Sequence, residues 1–216
     1  MPTDYAFETT ISYSDVMWLS KSISRDRSVH HLCLERGYIA YFHGGAWMGT
    51  CDQHRAHAVK LADAAAMPGW SFNFWDLFHE VQATNAGSIT VRLARKIGSN
   101  GLTGRTLECD LLNAEHDRQM TWRRNIELKH ATESAPDFAK AFPPIDAGPV
   151  QELFCANLNY LIDAAEGVGA CTIQTHANRI GDQALMFRTP RRLAIVMAVH
   201  RERLFGTSFQ AVNDGR

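Results

Sequence analysis

The chain has 216 residues, 45% of them hydrophobic, and its 22 basic and 23 acidic residues leave a formal net charge of −1. That length suits a single domain over residues 1–216, and the apolar share supplies a packed core, which excludes a disordered chain. Balanced charge gives no long-range field toward nucleic acid or an anionic membrane, so the expected partner is a small-molecule substrate, with no nucleic acid and no membrane.

In chain order, Ser14 to Ser22 opens with polar capping residues and predicts a short helix. Gly37 to Phe42 is aromatic and β-branched, with glycines after it, as a buried strand would be. Gln53 to Met67 places Ala58, Leu61, Ala62 and Ala65 on one helical face, and Pro68-Gly69 stops that helix. Trp70 to Leu77 is an aromatic run expected to form the next strand. Ser88 to Ile97 alternates, with Ile89, Val91 and Leu93 on one side, and predicts a strand.

Gly98 to Gly104 is a glycine-rich turn. Leu107 to His130 is polar and is expected to be a helical surface element. Ala141 to Asp146, with its two prolines, is a loop. Val150 to Ala165 carries an apolar helical stripe of Val150, Leu153, Phe154, Leu158, Leu161 and Ile162. Gly167 and Gly169 end it. Cys171 to Thr175 predicts a strand, and Thr189 to Leu204 a last helix with Pro190 in its first turn. No internal repeat is visible. Alternating strands and helices predict an α/β class fold: layered, with a mostly parallel central sheet and helices on both faces.

The five cysteines, Cys33, Cys51, Cys109, Cys155 and Cys171, are odd in number and form no C-x-x-C pair. They read as free thiols in a reducing compartment. No apolar run is long enough to span a bilayer, and the first 18 residues lack the basic start of a secretory signal, so the expected address is cytoplasmic.

The segment with the most chemistry is Tyr41-Phe42-His43-Gly44-Gly45-Ala46-Trp47-Met48-Gly49. Two glycines after a strand let the backbone turn tightly and aim amides at one point. Converging amides stabilise a tetrahedral oxyanion by about 3 kcal/mol per donor. With Asp52, His54 and the Lys60-Leu61-Ala62 run, residues 37–66 resemble the HGGG-type segment of the α/β-hydrolase superfamily, as in hormone-sensitive-lipase-like esterases and kynurenine formamidases.

The resemblance implies a hydrolase of a small ester or amide that works by serine acyl transfer, with no cofactor and no metal. Gly44 and Gly45 would be oxyanion donors, with His43 and Trp47 shaping the substrate site. G-x-S-x-G is not matched; the nearest turn is Ile97-Gly98-Ser99-Asn100-Gly101, which makes Ser99 the candidate nucleophile. Asp182, in Arg179-Ile180-Gly181-Asp182, is the candidate acid. The terminal histidine is also missing, and His200 is the substitute base.

Other readings stay open. Leu34-Glu35-Arg36-Gly37-Tyr38 with Phe42-His43-Gly44 also resembles the Y-H-G segment of ADP-ribosylating toxins, whose late glutamate would be Glu152, Glu166 or Glu202. His54 and His57, with His30 and His31 nearby in sequence, could share a metal on a helix. A non-catalytic binding or interaction module would use the same scaffold without the missing triad members.

Overall fold

The computed structural model describes residues 5–23, 35–52, 54–64, 69–84, 86–97, 103–113, 120–131, 135–142, 156–177 and 183–198. In order these form β1 (Tyr5–Ser12), α1 (Tyr13–Ser20), β2 (Arg36–Phe42), β3 (Gly45–Cys51), β4 (Arg55–Asp63) and β5 (Trp70–Asn73). There follow α2 (Phe74–Thr84), β6 (Ala86–Ile97), β7 (Thr103–Asn113), β8 (Met120–His130), α3 (Phe138–Ala141), α4 (Leu158–Val168), β9 (Thr172–Ala177), β10 (Gln183–Arg188) and β11 (Arg192–Met197). The strands join in the order β1-β6-β7-β8-β5-β2-β3-β4-β11-β10-β9. Every ladder is antiparallel.

This corrects the expected layered α/β fold. Three stretches that predict helices are strands. Gln53 to Met67 contains β4, Leu107 to His130 contains β8 and the second half of β7, and Thr189 to Leu204 contains β11. Burial on both faces explains β4 and β11. In β4, Ala56 and Ala58 enter a core on one side of the sheet, while Val59 and Leu61 enter another on the opposite side. A strand buried on both faces has no polar alternation to betray it, and tertiary packing outweighs the helix propensity of alanine. In β7 and β8 the period of two is present: Leu107, Cys109, Leu111, Ile126 and Leu128 are buried, with Asn125 and Glu127 exposed. Their charged outer face mimics the solvent face of a helix.

A helix followed by a three-stranded meander occurs three times: α1-β2-β3-β4, α2-β6-β7-β8 and α4-β9-β10-β11. The repeat is one of architecture, since the three helices share little beyond apolar spacing. A leading strand precedes each of the first two units and pairs with the other unit: β1 with β6, and β5 with β2. This exchange ties the two together, and α1 packs on α2 beneath them. The third unit joins through β11, which pairs with β4 from Arg192↔Val59 to Val196↔Arg55.

The main core lies between the sheet and its helices, around Ile11, Leu19, Ile39, Met48, Phe72, Phe74, Ile89 and Leu107. A second, smaller core covers the other face of β2, β3, β11 and β10, where Phe138 and Phe142 of the α3 segment stack near Phe42. Gly49 permits this approach; a Cβ there would lie 2.6 Å from the Phe138 ring. Among the described residues, no helix is long and apolar enough to cross a membrane.

Candidate functional site

His43-Gly44 is the two-residue turn of the β2–β3 hairpin. Both residues have positive φ, 49° and 71°, and Phe42 faces Gly45 across the ladder. Two left-handed residues in succession suit the right-handed twist of the flanking strands. Gly45 belongs to the sheet, and the Gly44 carbonyl accepts from the Ala64 amide at 3.2 Å. His43 Nε2 lies 2.6 Å from the Phe142 carbonyl, and the Trp47 indole N–H donates to the Phe42 carbonyl at 2.9 Å. The helix that should follow an oxyanion loop is absent, because β3 and β4 follow instead.

Ser99, Asp182 and His200 lie outside the described residues. Their flanks are described. Ile97 pairs with Thr103, so the Ser99 segment joins two antiparallel strands, whereas a nucleophile elbow joins a strand to a helix. Asp182 immediately precedes an antiparallel strand, β10, rather than a last helix. For the toxin-like reading, Glu152 and Glu202 also lie outside the described residues, and Glu166 sits on α4, 2.5 Å from Lys21 Nζ. His54 and His57 are on a strand segment, not a helix: His57 stacks on Trp18 and His54 lies against Tyr160.

The joint between the first and third units gathers a polar cluster. Arg192 of β11 meets Asp15 of α1 at 2.6 Å, donates to the Gly167 carbonyl of α4, and lies 5.6 Å from the Trp18 ring. The Trp18 indole donates to the Asp163 carbonyl at 2.9 Å. Arg55 meets Asp163 at 2.5 Å and Asp52 at 2.9 Å, while Lys21 meets Asp163 at 3.1 Å. Burial alone would push the Asp163 carboxyl up, but hydrogen bonds from Lys21 and Arg55 overcome it and hold it below the usual carboxylate range. The hydrogen bond to Glu166 raises the Lys21 ammonium.

His57 lies at the centre of this joint, fully buried, its ring 4.4 Å from Trp18 and nearly parallel to it. Nδ1 is 2.9 Å from the Trp18 carbonyl, while Nε2 is buried without a hydrogen-bond partner among the described residues. Burial pushes its pKa down to about 3, so the ring is neutral at physiological pH.

Beside the joint is a cleft of about 380 Å³, lined by His43, Trp47 and Lys60 of the first unit and Thr172, Arg188, Thr189, Pro190 and Leu193 of the third. Its floor is apolar and its rim carries Lys60 and Arg188. It contains no serine or cysteine nucleophile. Sequence reasoning found His43 and Trp47 but assigned them to hydrolysis. The other lining residues were missed, because they fall in two blocks more than a hundred residues apart and no local motif links them. The Thr189-Pro190 turn was the one available signal.

The helical side has its own electrostatics. α1, α2 and α4 contain no lysine or arginine and five carboxylates: Asp15, Asp76, Glu80, Asp163 and Glu166. Several are countered by neighbours, including Glu80 by Arg124 at 3.3 Å and Asp15 by Arg192.

No family model and no curated protein matches the chain. Its fold is similar to solved bacterial structures. With DNA polymerase III subunit beta from Borrelia burgdorferi it is 11% identical, covering 93% of this chain and 66% of that one at a TM-score of 0.55. With the DNA polymerase sliding clamp of Bacillus subtilis it is 8% identical, covering 89% and 64% at 0.54. With the beta subunit from Thermotoga maritima it is 9% identical, covering 91% and 66% at 0.52. The chain thus spans less than two thirds of the length of each.

At such identities the likeness is one of fold. It overturns the α/β-hydrolase resemblance, because the ladders among the described residues are antiparallel where that superfamily has a mostly parallel sheet, and the Ser99 segment joins two antiparallel strands. The serine hydrolase and esterase expectation falls with it. The expectation of a small-molecule substrate and no nucleic acid is likewise overturned, since the solved structures it resembles here are DNA polymerase clamps. The chain carries the fold of a bacterial DNA polymerase sliding clamp, over about two thirds of that clamp's length.

Proposed function

We propose that the chain is a section of a clamp-type ring that encloses duplex DNA and tethers a partner protein to it, without bond chemistry of its own. The observation that carries this reading is the thrice-repeated helix-and-meander unit, which sets its helices on one side of a continuous antiparallel sheet, in the fold of DNA polymerase clamps. The open edge of β8 supports it. β4 uses its outer edge from Arg55 to Val59 to take β11, whereas β8, its counterpart in the second unit, is paired on that side only at Lys129 and His130 among the described residues. A further unit can add there as β11 adds to β4, and repeated addition of curved units closes a ring.

The helical face would line the hole. With five carboxylates and no lysine or arginine on its helices, it holds phosphates weakly, so the enclosure is topological rather than adhesive. The cleft between the first and third units would take the tethered protein. Its apolar floor and cationic rim suit an extended segment with a hydrophobic anchor and an acidic neighbour. A cytoplasmic address fits this role.

Negative-stain electron microscopy of the concentrated protein tests the architecture. Closed rings with an open centre are expected. Compact particles or open filaments would contradict the reading.

A further inference from the structure

Thr172, Arg188 and Leu193 stand side by side on one rung of the sheet, with Arg188 opposite Thr172 of β9 on one side and Leu193 of β11 on the other. Residues directly opposite in an antiparallel ladder share a face, with Cβ atoms about 5 Å apart. All three line the cleft of about 380 Å³. Its floor, Leu193 and Trp47, is buried in the smaller core, on the face of the sheet turned away from α1, α2 and α4.

The three basic side chains of the cleft differ in what they already hold. Lys60 Nζ meets Asp63 at 2.5 Å. His43 Nε2 is 2.6 Å from the Phe142 carbonyl. Arg188, half-buried beside the floor, has no hydrogen bond or ion pair among the described residues. A guanidinium that is partly out of water and holds no acid can take a carboxylate in two parallel N–H···O bonds, which a lysine ammonium cannot.

We propose that the cleft reads a two-point signal in a partner protein: an apolar side chain seated on Trp47 and Leu193 and, two residues along the same extended segment, an Asp or Glu held by Arg188. The spacing follows from the sheet. In an extended segment every second side chain falls on one side, about 7 Å apart. That span matches the step from the Leu193 floor to a guanidinium one ladder position away. Adjacent residues point to opposite sides and cannot fill both places. Lys60 contributes less, because Asp63 already neutralises it. Duplex DNA is a poor occupant, since its backbone calls for a row of unpaired cations and has no use for an apolar floor. The assignment rests on this cleft being the tethering site, and it names what that site selects.

Fluorescence anisotropy of the full chain with the labelled peptide Gly-Ser-Phe-Ser-Glu-Ser-Gly tests it. Saturable binding is expected. Replacing the peptide's Glu by Gln, or moving it next to Phe, is expected to weaken binding at least about tenfold, as loss of a charge-assisted pair does. Arg188→Gln is expected to weaken the unaltered peptide as much and to bind the Glu and Gln peptides alike. The peptide series on the unsubstituted chain decides the matter if that variant melts early. Equal binding of the Glu and Gln peptides by the unsubstituted chain, no binding at all, or displacement of the peptide by a short DNA duplex overturns the assignment. Closed rings without this discrimination would leave the clamp reading standing, and discrimination without rings would leave the cleft assignment alone.

Discussion

His57 shows how a single side chain can hold two units together and make the joint sensitive to acid. Its neutral ring fills the space between Trp18 and β4, and burial lowers its pKa from 6.5 to about 3. A base whose folded pKa is depressed binds its proton more readily when unfolded. Its contribution is complete above about pH 6.5 and is lost as pH falls toward 3, by up to about 1.4 kcal/mol per pH unit. Asp163, also depressed, loses its contribution in the same direction but at lower pH. Thermal melts of the native chain are therefore expected to drop steadily below pH 6.5. His57→Phe should flatten that slope, and an unchanged slope would remove His57 from the account. Nearby, a Cβ on Gly167 would fall 2.0 Å from the Trp18 indole nitrogen. Gly167→Ala is expected to cost about 1–3 kcal/mol in chemical denaturation, the usual penalty of overpacking.

At the scale of elements, the β2–β3 hairpin decides between chemistry and architecture. Gly44 has φ 71° and open space where a Cβ would go, so Gly44→Ala suffers only the left-handed backbone penalty, about 1 kcal/mol. That small loss of stability and no ester hydrolysis in either form are expected; turnover of a p-nitrophenyl ester abolished by the substitution would restore an oxyanion role. The elements with a clear amphipathic period were legible in sequence: α1, β2, β6 and β9 fall close to the expected segments, and α4 overlaps the expected helix at its C-terminal half. Val150 to Cys155, the start of that expected helix, lies outside the described residues. β4 and β11 were illegible because both faces are buried, and β7 and β8 because their polar outer face resembled a solvated helix. Three wrong helices turned a meander into false βα alternation. From that a parallel sheet followed, while the hydrolase expectation came from residues 37–66, whose His43-Gly44 pair is a hairpin turn. Of the cleft, only His43 and Trp47 stood out, since nothing local joins them to Arg188 or Leu193. The proposed ring can be tested at its helices. Lysines placed at exposed His79 and Gln82 of α2 should raise duplex affinity and steepen its salt dependence, by about 0.9 in the log–log slope per phosphate engaged. Unaltered binding would mean that this face does not look onto DNA.

For the whole molecule, the units add along one sheet: the second onto the first by strand exchange and the third onto β4; in the proposed ring a further one would add at the edge of β8. In the proposed ring, function would come from closure, because a ring holds a polymer that its surface barely grips. The most direct measurement is retention on DNA. The protein, dissociated by dilution and then concentrated with nicked circular plasmid, should co-elute with the circle in gel filtration at moderate salt. Cutting the circle once should release it through the ends. Equal retention on circular and linear DNA, or none on either, would contradict the ring.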